Sequence, residues 1–303
     1  ISFFSTSPDL SNRERFPYFL RTIPSDVYQA EVMVALVRLL KWTYVSVVYE
    51  ESSYGILGFN EVEKKLKQNG ICLATTEKLL KDSGQSTEAD YDLIVERLLK
   101  KVHARGVIIF GSDQEVGQLM KAVERRGETG NFAWIGSDGW GGRGLAFKGK
   151  EEAGFRDYFL SLRPTTNTRN PWFIEYWEQH FRCKYNGSAP TPFNQNYDKL
   201  CTGHEQISED NGFEMEAQLQ FNMHNDLCGG KPGLCPRMAK IKGDLLKQYL
   251  LNVRFTGLSG QKFRFLPNGD GPSRYRILNF RRTAQGDFEW ATIGYYRDGK
   301  LKI

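Results

Sequence analysis

The stretch TYVSVVYE at residues 43–50 sets the fold class, because its β-branched and aromatic residues are typical of a buried strand. Similar runs follow it: ICLAT at 71–75, GVIIF at 106–110 and FAWIG at 132–136. Between them, apolar residues recur at helical spacing in three segments, 56–69, 91–103 and 114–126. Strands that alternate with helices in this way predict an α/β fold with a mainly parallel sheet flanked by helices.

The segments on either side of this alternation differ from it. Before it, a helix is predicted over 27–41, with Ser25 as its N-cap. After about residue 150 the rhythm is lost, and a Trp-rich helix is followed by a polar zone at 183–243 that is rich in Gly and Pro. A helix at 243–252 and short strands past residue 260 complete the prediction.

Composition narrows the class of protein. The 303 residues are 40% hydrophobic and 25% charged, which is typical of globular domains. No apolar run approaches the roughly 18 residues that a membrane-spanning helix needs. The net charge of +5 is small and dispersed, so a nucleic-acid partner is not expected. The chain also opens without an initiating Met or a secretory signal, which indicates a piece of a longer protein.

The five cysteines indicate an oxidising compartment. Cys183 lies near Cys201 in the sequence, Cys228 lies near Cys235, and Cys72 stands apart from both pairs. Two local disulfides and one remaining thiol are the simplest interpretation. Asn186 begins an N-glycosylation sequon, which agrees with secretion.

Signals for enzyme chemistry are missing from the sequence. It contains no P-loop, no GxSxG elbow, no HExxH and no zinc-ligand spacing of Cys and His. The glycine-rich run at 139–144 lacks the GxGxxG spacing of a dinucleotide site. The prediction is therefore a protein that is not an enzyme and that has no cofactor and no metal.

Binding is better supported, because ligands of open α/β sheets lie beyond the carboxyl ends of the strands. Three such ends carry polar residues, namely Tyr54, Asp113 and Asp138. Asp113 is well placed to cap the helix at 114–126. Tyr54 could instead be a packed surface residue, and Asp138 could simply form an Asx turn before Gly139.

Several uncommon strings resemble metabotropic glutamate receptors, the class C G protein-coupled receptors. In order they are STSPDLS (5–11), PSD (24–26), WTYVS (42–46), SYG (53–55), GSDGW (136–140) and RNPWF (169–173). The resemblance covers the whole chain and is strongest to invertebrate members. It implies an extracellular Venus-flytrap domain, like a periplasmic binding protein, in which a ligand closes a cleft between two lobes. Lobe one would comprise 1–22 and 154–273, and lobe two 23–153 and 274–303.

The resemblance also implies a set of ligand-binding residues. Thr6 corresponds to a threonine that contacts the α-amino acid moiety, and Phe4 lines the same turn through its backbone. Asp26 would face the ligand ammonium ion, although a first-turn acid also favours the helix dipole. Tyr54 would cover the ammonium with its ring, and Asp138 would be a second aspartate. Farther along the chain, Arg143 could bind a distal carboxylate, with a solvated loop arginine as the alternative, and Gln218 stands where the family has a ligand-contacting lysine.

Departures and partners follow from the same resemblance. The N-terminal half of lobe one is expected to be missing, and short segments of the family pattern have no counterpart after Ala153 and after Gln218. Real deletions, omitted segments and a faulty gene model are the alternatives. The implied partners are L-glutamate, a second copy in a homodimer, a cysteine-rich domain bonded through Cys72, and a heterotrimeric G protein. The implied location is the extracellular side of the plasma membrane. A flytrap sensor of another amino acid remains an alternative, and an α/β enzyme a weaker one.

Overall fold

A computed structural model describes ten segments of the chain: 1–81, 86–140, 158–164, 171–192, 194–202, 227–229, 235–239, 241–256, 262–297 and 299–303. The chain forms two compact units. The larger comprises Ile1–Thr165 and Asn268–Ile303, and the smaller comprises Thr166–Pro267.

The larger unit is built on a mixed sheet of eight strands. They are β1 (Tyr44–Glu50), β2 (Cys72–Leu79), β3 (Gly106–Phe110), β4 (Ala133–Gly136), β5 (Tyr158–Pro164), β8 (Arg274–Arg282), β9 (Phe288–Arg297) and β10 (Lys300–Lys302). A separate pair, β6 (Arg254–Thr256) and β7 (Lys262–Arg264), belongs to the smaller unit. The order in the large sheet is β10-β9-β8-β5-β4-β3-β1-β2. The five strands β1 to β5 run parallel, and β8, β9 and β10 add an antiparallel edge.

Helices follow the parallel strands as the sequence predicts. The described α-helices are α1 (Asp26–Leu39), α2 (Ser53–Gln68), α3 (Glu88–Leu99), α4 (Asp113–Arg125), α5 (Pro171–Phe181), α6 (Pro236–Ala239) and α7 (Gly243–Asn252). The predicted N-cap of α1 is confirmed, because the Ser25 hydroxyl accepts from the amide of Val27. The predicted cap of α4 is wrong, because Ser112 occupies the N-cap position and Asp113 is the first helical residue.

Two apolar cores cover the two faces of the sheet. Alternate residues of a strand point to opposite faces, so Val107 and Ile109 join one core while Ile108 and Phe110 join the other. Helices α3 and α4 pack on the first face, and α1 and α2 on the second. All five residues of β3 are buried, as expected for a strand with helices on both sides.

The antiparallel edge differs from the sequence prediction. Strands β8 and β9 are nine and ten residues long, whereas only short strands were predicted past residue 260. Strand β5 was not predicted at all, and it lies in the middle of the sheet between β4 and β8. Residues 158–164 thus share a sheet with 133–136, while the sequence-based boundary at residues 153 and 154 placed them in different lobes. The division into lobes as a whole stays a prediction.

The smaller unit contains both expected disulfides, Cys183–Cys201 and Cys228–Cys235. The buried carboxylate of Glu178 organises the loop after α5, because it accepts from the amide of Tyr185 and from the hydroxyl of Ser188. Asn186 lies exposed in this loop. None of the helices in the described segments combines the length and the hydrophobicity that a membrane span requires.

Candidate ligand-binding site

A cavity of about 560 Å³ opens in the larger unit, where loops follow the carboxyl ends of β1, β3 and β4. It is lined by residues from five segments of the chain: Phe4, Ser5, Thr6, Ser7, Leu10, Ile23, Tyr54, Ser112, Asp138 and Gly139. Four of the residues that the resemblance proposed for ligand binding therefore line one space, namely Phe4, Thr6, Tyr54 and Asp138.

Tyr54 and Asp138 form the most closely connected wall of the cavity. Tyr54 lies in the first turn of α2, just after the N-cap Ser52, and Asp138 follows the end of β4. The Tyr54 hydroxyl donates to Asp138 Oδ1 over 2.9 Å. Its ring packs against Phe110 with 4.7 Å between ring centroids, and this contact fixes the direction of the ring. Gly139 lets the loop approach the ring closely, because a Cβ there would lie 3.1 Å from Tyr54 Cε1 and 2.4 Å from the carbonyl oxygen of Gly111.

Asp26 lies directly behind this wall and has no exposed surface. Its amide donates to the carbonyl oxygen of Thr6 over 2.9 Å. The buried Gln29, one turn along α1, connects the two acids: its Nε2 donates to Asp138 Oδ1 at 2.7 Å and to Asp26 Oδ1 at 3.5 Å. Its Oε1 in turn accepts from the amide of Asp138. Gln29 was missed by the sequence analysis, because a glutamine in the first turns of a helix carries no signal of its own.

The electrostatics of the site are dominated by its two carboxyl groups. Burial, followed by the negative charge of Asp138, raises the pKa of Asp26 to about 8, although a hydrogen bond from Thr6 and the charge of Arg21 oppose the shift. Burial and the same two acids raise the pKa of Tyr54 well above its ordinary value, so this phenol stays neutral. Two acids close together in a protected site favour a cationic ligand group, because a nearby positive charge stabilises the ionised form of both carboxyl groups.

Positive charge is absent from the cavity wall as far as the structure describes it, since none of its described lining residues is Lys or Arg. Two further proposed ligand contacts, Arg143 and Gln218, lie outside the described residues. Within the described segments there is also no group of three or more His, Cys, Asp or Glu that could hold a metal ion.

A cavity that combines an apolar lining with a few polar side chains, at the strand ends of a mainly parallel sheet, is typical of a small-molecule binding domain. Comparison with known proteins gives its class. Residues 1–283 match the family described as the receptor family ligand binding region. The chain therefore belongs to this family of receptor ligand-binding regions.

Individual relatives are metabotropic glutamate receptors. The chain is 37% identical to metabotropic glutamate receptor 4 of Rattus norvegicus and of Macaca fascicularis, over 98% of this chain and 35% of each relative. It is 35% identical to metabotropic glutamate receptor 8 of Homo sapiens over the same shares. The predicted resemblance is thus confirmed, and the chain spans about a third of the length of these relatives.

Proposed function

We propose that this chain is the part of a class C receptor that binds an extracellular α-amino acid, with L-glutamate as the ligand. The observation that carries the proposal is the convergence of Thr6, Tyr54 and Asp138 on one cavity, in front of the buried Asp26. An α-ammonium ion is stabilised by carboxylates and by the face of an aromatic ring, and both are present. The similarity to metabotropic glutamate receptors favours glutamate among the α-amino acids.

The test is binding of radiolabelled L-glutamate to membranes that carry the natural full-length protein. Asp138→Asn keeps the shape of the side chain but removes its charge, and should weaken binding about 30-fold or more. Tyr54→Phe keeps the ring but removes the hydroxyl that donates to Asp138, and should cost less, about 3- to 10-fold. The matched control is Glu289→Gln, which removes an exposed carboxylate elsewhere and should leave binding unchanged. Normal affinity in both site variants would contradict the proposal.

A sensor of a different amino acid is the second candidate, and one observation favours it. The described cavity wall offers partners for an ammonium ion but no cation for a distal carboxylate. Competition of L-glutamate with L-glutamine, L-serine and L-alanine separates the two candidates. Stronger competition by a neutral amino acid would replace glutamate in the proposal and keep the ammonium site.

The remaining parts of the proposal concern the whole receptor. We propose closure of a cleft between two lobes on ligand binding, homodimer formation, coupling to a heterotrimeric G protein and a location at the plasma membrane. A disulfide from Cys72 to a following cysteine-rich domain is also proposed. Cys72 supports it, because it is exposed and free at the first position of β2.

A further inference from the structure

A buried ion pair lies behind the loop that carries Thr6. Arg21 Nε donates to Asp270 Oδ1 over 2.6 Å, and the two side chains are 0% and 2% exposed. Burying two charges is unfavourable unless further hydrogen bonds satisfy both groups. The stability of this buried pair therefore depends on the other hydrogen bonds that Arg21 and Asp270 make.

The other N–H groups of Arg21 hold the Thr6 loop (residues 5–7) from its inner side. Nη1 donates to the carbonyl oxygens of Ser5 at 3.1 Å and Ser7 at 2.8 Å, which flank Thr6 in the chain. Nη2 donates to the Ser11 hydroxyl at 2.5 Å, and this hydroxyl donates onward to Asp270 Oδ2 at 2.7 Å. A guanidinium group can satisfy several acceptors at once because its donors are fixed in one plane.

The carbonyl oxygen of Thr6 itself accepts from the amide of Asp26, at the start of α1. Three successive carbonyls, at residues 5, 6 and 7, are therefore fixed by groups beneath the loop. Two further hydrogen bonds hold Asp270 in place. Asn268 Nδ2 donates to Asp270 Oδ2 over 2.8 Å, and the amide of Arg21 donates to the carbonyl oxygen of Gly269 over 3.0 Å. The loop has little freedom to place Thr6 anywhere but at the cavity wall.

We propose that Arg21 and Asp270 are positioning residues for ligand binding, which together hold the Thr6 loop at the wall of the cavity. The inference rests on the proposed function, but neither residue lines the cavity. Arg21 has a second, electrostatic effect, because its positive charge opposes the rise in the pKa of Asp26.

The test compares variants of the natural full-length protein in L-glutamate binding across pH 6.5 to 8.0. Arg21→Lys keeps the charge but cannot hold the same set of acceptors, and should weaken binding about tenfold or more. Asp270→Asn should weaken binding. It should also lower the pH at which Asp26 ionises, and with it the midpoint of the pH range over which L-glutamate affinity rises. The reason is that Arg21 would then act on Asp26 without its neutralising partner. Arg281→Lys, in an exposed ion pair with Glu289, is the matched control and should bind as the wild type does.

Amide hydrogen exchange of the purified full-length protein, without ligand, tests the positioning separately. In Arg21→Lys the amides of Asp26 and of residues 5–7 and 9–11 should exchange faster, while those of β3 should not change. If the wild type does not bind L-glutamate, the proposed function fails, and this exchange measurement still decides the positioning role. Should Arg21→Lys fail to fold, Ser11→Ala removes one link of the same network without a charge change, and should weaken binding about 3-fold. Wild-type affinity and unchanged exchange in the folded variants would overturn the inference.

Discussion

The ionisation of Asp26 should give ligand binding a measurable dependence on pH. The carboxyl group has no exposed surface, and burial followed by the charge of Asp138 raises its pKa to about 8. Most Asp26 side chains therefore carry a proton at pH 7 before a ligand arrives. A ligand ammonium ion close to Asp26 favours the ionised form, so binding should release a proton.

The magnitude follows from the fraction of Asp26 that is ionised in the free protein. With a pKa of about 8, this fraction is about 3% at pH 6.5 and about half at pH 8.0. If the complex requires the carboxylate, the apparent affinity should rise about 15-fold across this range. The sign is fixed by the direction of the shift, since raising the pH removes the proton that opposes binding.

The assay is equilibrium binding of L-glutamate to the full-length protein at four pH values between 6.5 and 8.0. Calorimetry in two buffers with different ionisation enthalpies reports the released proton directly. Asp26→Asn should bind L-glutamate more weakly than the wild type at pH 8.0, and its affinity should no longer change with pH. The control is Asp92→Asn, which breaks a surface ion pair with Arg125 and should keep the wild-type affinity and its pH dependence. Wild-type affinity that does not change with pH, or an unchanged pH dependence in Asp26→Asn, would show that ionisation of Asp26 does not control binding.

Three further predictions concern the site, the core and the free thiol. Gln29→Glu replaces the amide that donates to Asp26 and Asp138 with a third acid, and should weaken L-glutamate binding about tenfold or more. Wild-type affinity in this variant would show that Gln29 does not hold the two acids in place for the ligand. Gly58→Ala should lower the free energy of unfolding by about 1–3 kcal/mol, because the new Cβ would lie 2.2 Å from the Phe110 ring; thermal unfolding checks this against the surface control Lys64→Ala. Peptide mapping of the unreduced full-length protein should find Cys72 bonded to a cysteine beyond this chain, and a bond to any of the four cysteines that form the two disulfides would contradict it.

The parallel part of the sheet could be predicted because its strands are apolar and separated by amphipathic helices. Tyr44–Glu50 and Gly106–Phe110 match the predicted strands to within one residue. Strand β5 could not be predicted in this way, because no regular helix pattern precedes it and the apolar run is short. The capping error at Asp113 has a local cause, since Ser112 and Asp113 are adjacent and both are good N-cap residues.

The lining of the cavity could be predicted only from the short sequence motifs that the chain shares with metabotropic glutamate receptors. Composition and periodicity left Tyr54 and Asp138 open, and the structure joins them by a hydrogen bond. For Asp26 the two interpretations are compatible, because it lies in the first turn of α1 and also behind the cavity. Gln29 and Arg21 carry no local signal, since their importance comes from contacts with residues about 110 and 250 positions away in the chain.

A crystal structure of the protein with bound L-glutamate would show directly whether the ligand occupies this cavity. We expect density for the ligand in the cavity between Thr6 and Tyr54, with its ammonium nitrogen within hydrogen-bonding distance of Asp138 and over the face of the Tyr54 ring. Ligand bound with its ammonium ion away from Asp26, Tyr54 and Asp138, or an empty cavity at a saturating concentration of L-glutamate, would contradict it.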